Sequence, residues 1–119
     1  MSKRISAALA AIAAIAAVLA LPAFAHAPVV GTSPKENARV TTVRTVSVRF
    51  GEAVVTGKIG VKRANGSAVA ASASGLTNGK KRLRAAFANK LAAGKYTVSW
   101  RVRADDGDTE TGTFRFTVR

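Results

Sequence analysis

The 119-residue sequence predicts an all-β fold, an antiparallel β-sandwich of about seven short strands behind a signal peptide. Three observations carry that prediction. Apolar and polar residues alternate with period two in three stretches, Asn-Gly dipeptides punctuate the chain twice, and no segment after residue 25 has a convincing helical period.

Residues 1–25 combine Lys3 and Arg4, a long Ala/Ile/Leu/Val run, Pro22, and small Ala23 and Ala25 around Phe24. A basic start, an apolar middle and an A-x-A end after a helix breaker are the pattern of a cleaved export signal. The apolar run from Ile5 to Ala25 is also long enough to span a bilayer. An uncleaved anchor needs neither the proline nor the A-x-A site, so cleavage before His26 is the expectation. It leaves residues 26–119 as one domain and makes the sole histidine the first residue of an exported, periplasmic or secreted, protein.

The remaining elements follow in chain order. Residues 26–34, with Pro28 and Pro34, form an extended opening segment. Val46, Val48 and Phe50 alternate with Ser47 and Arg49, which puts one face in a core and the other in water. Shorter strands are expected near 57–63, 68–74 and 82–87, separated by Asn65-Gly66 and Asn78-Gly79. Alternation is longest at Tyr96, Val98, Trp100 and Val102, and recurs at Phe114, Phe116 and Val118. Trp100 reads as a core aromatic. The stretch from Leu91 to Tyr96 matches the corner that immunoglobulin-like sandwiches build around a tyrosine.

Composition narrows the chemistry. With no cysteine, the chain has no disulfide, thiolate zinc site, Fe–S cluster or cysteine nucleophile. Met1 is the only methionine, so a thioether site for Cu(I) is not expected. One histidine cannot furnish a Ser-His-Asp triad or a second imidazole for a hydrolytic or oxidative metal centre, so an enzyme is not expected. The net charge of +13 includes a run at Lys80, Lys81, Arg82 and Arg84. In an exported protein without a recognition motif, that charge points to solubility or attraction to anionic envelope surfaces and not to nucleic acid.

Four of the six acids, Asp105, Asp106, Asp108 and Glu110, fall in one window between two strongly alternating strands. Asp-Gly is ordinary turn chemistry, but three carboxylates within four positions repel one another and need compensation. A plain turn and a cation site both remain open on these residues alone. His26 adds a second ingredient if it is the terminus. Its amine and imidazole Nδ1 would form a two-nitrogen chelate whose protons copper can displace near neutral pH. Pro28 lacks an N–H, so further ligands must come from elsewhere in the fold. Two nitrogens with carboxylate oxygens suit Cu(II), which tops the divalent affinity series.

In order and spacing these residues resemble the CopC family of exported copper-binding, copper-resistance proteins, which are cupredoxin-like β-sandwiches. The matching pieces are His26-Ala27, Thr32-Ser33-Pro34, the V-x-V-x-F-x-E-x-V strand at 46–54, and the G-x-Y-x-V-x-W-R-V segment from Gly94. The last continues through Asp106-Gly107-Asp108 to Gly112, Phe114, Phe116 and Val118. The resemblance implies one Cu(II) ion held by His26, Asp106 and position 108, with Glu52 contributing. The family has histidine where this chain has Asp108. A carboxylate there implies weaker Cu(II) binding and a shift toward harder metals. The family also implies a monomeric Cu(II) carrier or buffer that exchanges metal with a CopD-like membrane transporter and does not itself span the membrane. The competing expectation is an immunoglobulin-like envelope interaction module that has kept the fold and lost tight metal binding.

Overall fold

A computed structural model describes residues 27–119; the expected signal peptide and His26 lie outside the described residues. Nine strands form two packed sheets: β1 (Val29–Ser33), β2 (Ala38–Val40), β3 (Thr45–Phe50), β4 (Thr56–Arg63), β5 (Ala68–Val69), β6 (Ala73–Thr77), β7 (Arg82–Ala86), β8 (Gly94–Arg103) and β9 (Thr109–Val118). One sheet has the order β1-β3-β7-β6 and the other β2-β9-β8-β4-β5. The two-sheet sandwich is the expected architecture. Among the described residues no helix is long and apolar enough to cross a membrane.

The count of about seven strands becomes nine for local reasons. The single strand expected over 68–74 is two strands in different sheets, because β5 pairs with β4 while β6 pairs with β7. Small residues dominate that stretch and leave no alternation to locate the break. The three-residue β2 joins β9 in parallel, Ala38 opposite Phe116, and makes the sandwich antiparallel in every pair but one.

Both Asn-Gly pairs sit where strands reverse. Asn78 and Gly79 each have positive φ between β6 and β7, the backbone that a tight hairpin twist demands. Between β4 and β5 the Asn65 carboxamide oxygen accepts the Ser67 N–H and hydroxyl, while Gly66 N–H donates to the Arg63 carbonyl.

The core lies where inner rows of the two sheets meet. Val46 and Val48 of β3 and Leu83 of β7 face Val98 and Val102 of β8, all fully buried. Each such burial contributes about 1.5–3 kcal/mol relative to exposure. The Tyr96 and Phe116 rings stack with centroids 5.4 Å apart, and the Tyr96 hydroxyl donates to the Ala92 carbonyl. That bond is the expected tyrosine corner. Trp100 shares the inner face of β8 but is only half-buried, edge-on to Phe50 at 5.4 Å. Gly112, opposite Trp100 in the ladder, provides space for the indole, because an added Cβ there would overlap its six-membered ring.

Candidate metal centre

Three chain segments meet at one end of the sandwich. The first described residues reach it: Ala27 is buried in the core, and the Pro28 carbonyl accepts the Gly51 N–H at 2.8 Å. Gly51 begins the link from β3 to β4, which also holds Glu52, and Val55 at its far side donates to the Arg103 carbonyl at 2.8 Å. Arg103 ends β8 and opens the turn that carries the aspartates. Phe50 against Trp100 ties the same end together through the core.

The turn itself is closed by backbone. Ala104 N–H donates to the Asp108 carbonyl at 2.8 Å and Gly107 N–H to the Ala104 carbonyl at 3.0 Å, with Gly107 at φ +90°. An added side chain would strain that conformation. Asp106 Oδ1 accepts the Asp108 N–H at 3.0 Å, an Asx turn that orients one carboxylate and fixes the backbone beneath the other. Asp105, Asp106 and Asp108 are all exposed.

The placement of the expected ligands is therefore mixed. Asp106 and Asp108 share one turn, and Glu52 lies exposed on the neighbouring link. Among the described residues, however, no three His, Cys, Asp or Glu side chains come close enough together to hold a metal ion. Residue 26 immediately precedes Ala27, whose burial fixes where the chain enters this end of the sandwich.

Glu110 behaves differently from the three aspartates. It sits opposite Val102, on the inner face with Gly112 and Phe114, and its Oε2 is buried without a hydrogen-bond partner. Its parity with Gly112, Phe114 and Phe116 is readable in the sequence, yet membership of an acidic window concealed it. Desolvating a carboxylate oxygen without a donor is unfavourable, so this position departs from what sheet packing alone would select.

Known proteins share this architecture. PcoC, a methionine-rich copper resistance protein from Escherichia coli, superposes with a TM-score of 0.71 at 23% identity, covering 80% of this chain and 100% of PcoC. CopC from Methylosinus trichosporium OB3b gives 0.66 at 28% identity, covering 78% of this chain and 93% of its own. No curated protein sequence matches the chain significantly. The family model of the CopC domain matches residues 29–119, from the first strand of one sheet to the end of the last strand of the other, and the chain belongs to the CopC family.

Proposed function

We propose that this protein is an exported copper resistance protein that binds one Cu(II) ion at the end of the sandwich where the chain opening, Glu52 and the Asp106–Asp108 turn meet. The observation that carries the reading is this meeting of three segments, in a chain whose domain matches the CopC family over residues 29–119. Of the two solved structures, one is CopC from Methylosinus trichosporium OB3b, and the other, PcoC, is described as a copper resistance protein.

The amine and imidazole of His26, freed by cleavage, supply two nitrogen donors, and Asp106, Asp108 and Glu52 supply oxygens. Copper must displace protons from both nitrogens, so apparent affinity falls as pH drops through ~8 to ~6. Asp108 in place of the family's histidine makes the site weaker than the D-G-H type. A side-chain charge balance of +11 over residues 26–119 opposes the approach of a cation. Ligation must overcome that field locally, and three aspartates in one turn reduce it there.

The role is that of a carrier or buffer, in a periplasmic or secreted setting, with a CopD-like membrane transporter as the exchange partner. PcoC is methionine-rich, whereas this chain has Met1 alone, so a thioether Cu(I) site has no donors here. The competing reading is an interaction module without tight metal binding. It is favoured by Asp108 and by the dispersion of the described carboxylates.

Titration of the exported protein with Cu(II), followed by paramagnetic resonance, separates the two. Nitrogen hyperfine structure saturating near one equivalent is expected, and no saturable binding at micromolar copper overturns the proposal. One residue added before His26 should weaken binding sharply. Unchanged affinity would remove the terminal chelate.

A further inference from the structure

The strand register gathers positive charge on a surface that the linear sequence does not announce. Along the outer face of the five-stranded sheet, β4 presents Lys58 and Lys62, and β8 presents Lys95, Arg101 and Arg103. From β9 comes Arg115 and from β2 comes Arg39. All seven are exposed. The positions between them are Ser, Thr and Gly: Thr56, Gly60, Thr97 and Ser99, with a column of Thr109, Thr111, Thr113 and Thr117 along β9.

Among the described residues no Asp or Glu occupies this face. The nearest acids stand at its margins, Glu36 beyond the β2 edge accepting the Arg115 N–H, and the aspartates in the turn after Arg103. Neighbouring outer side chains lie ~5 Å apart across strands and ~7 Å apart along them, inside the Debye length of ~8–10 Å, so their fields add.

Gly60 opens a hollow in the middle of the face, where an added Cβ would meet nothing within 4 Å. A depression of about 650 Å³ surrounds it; Lys58, Lys62 and Arg101 supply cations at a wall that Ile59, Val69 and Trp100 also line. No residue of the other sheet lines it, and it centres on the outer rows Lys58–Arg101–Thr111 and Gly60–Ser99–Thr113, which places it on the outer surface.

We propose that this face docks the protein on an anionic phospholipid bilayer, with lipid phosphates seated among the Lys58, Lys62 and Arg101 side chains. Charge complementarity identifies the polyanion, and the absence of large apolar or aromatic side chains from the outer rows disfavours both a protein partner and stacked bases. The apolar segment from Ile5 to Ala25 brings the domain to a membrane whether it is removed there or retained. Docking is independent of copper binding and does not require it.

The test is co-sedimentation of the full chain with vesicles, reading only the increment gained when neutral phosphatidylcholine is replaced by about one-third phosphatidylglycerol at ~50 mM salt. Lys3 and Arg4 beside the apolar segment add the same amount to that increment in the parent and in every variant, so the comparison is made between variants. The triple substitution K58Q/K62Q/R101Q should reduce that increment about 100-fold, at roughly fivefold per lost cation. The matched triple K80Q/K81Q/R84Q, on the other sheet and its turn, should reduce it less than about fivefold. Circular dichroism and thermal melting confirm that both triples fold, and R103Q alone, expected to lose about fivefold, serves if the first triple does not. Equal losses in the two triples, or no dependence on lipid charge, overturn the proposal. Tighter binding to a short DNA duplex than to vesicles at equal phosphate, lost in the same triple, would also overturn the lipid assignment.

Discussion

The two ends of the β8–β9 hairpin are built from one alternating pattern and do opposite things with it. Near Gly94 and Val118 the inner rows hold Tyr96 against Phe116, stacked and closed by the tyrosine hydroxyl on Ala92. Near Arg103 and Thr109 the same rows hold Val102 beside Glu110 and Trp100 beside Gly112, and the turn beyond carries three aspartates. One end concentrates buried carbon. The other occludes one carboxylate oxygen of half-buried Glu110, leaves the Trp100 ring partly exposed and crowds like charges, all of which reduce stability at the end where the proposed metal site lies. Strand periodicity alone therefore does not separate core from site; the identity of each inner residue does.

The largest expected effect tests the first end. Phe116→Ala removes a buried ring and its stacking on Tyr96, and should lower stability by about 3–5 kcal/mol in a urea titration. The protein that remains folded should take up Cu(II) with unchanged affinity. A matching loss of affinity would show that the two ends are not independent.

Gly112→Ala probes the boundary between them. The new Cβ overlaps the Trp100 ring, so the indole must rotate or the strand must shift, at a cost of about 1–3 kcal/mol. Tryptophan emission should change with it. An unshifted spectrum together with unchanged stability would mean that Trp100 does not lie over Gly112.

Asp108→His restores the family's imidazole at the second end. It should raise Cu(II) affinity about tenfold, equivalent to ~1.4 kcal/mol, and leave the unfolding free energy from urea titration within ~0.5 kcal/mol of the parent. No gain in affinity would remove position 108 from the metal site.

These contrasts also mark how far the sequence could be read. The β8 and β9 strands and the Tyr96 corner were legible because large apolar side chains alternate with polar ones over ten residues each. The β5 and β6 strands were not separable, since Ala and Ser on both faces carry no parity, and β2 finds its partner in parallel far along the chain. The acidic turn was visible as composition. Its proximity to the Glu52 link depends on a backbone bond from Val55 to Arg103, a long-range pairing that no local pattern encodes. The basic face is a similar case: attention falls on Lys80 to Arg84 because they are contiguous, whereas Lys58 and Arg101 become neighbours only through register.

Glu110 gives the smallest expected effect and the sharpest test of the claim that the second end is less stable than its pattern allows. Its Oε2 is buried with no donor, in a row where its neighbours are apolar or glycine. Replacing an unpaired buried acceptor by carbon of similar size removes a desolvation cost without breaking a hydrogen bond. Glu110→Leu should therefore raise stability by about 1 kcal/mol, read as a higher urea midpoint at constant slope. A fall of the same size would mean that the carboxylate has a partner holding the fold together, and the contrast between the two ends would then be one of chemistry without a difference in stability.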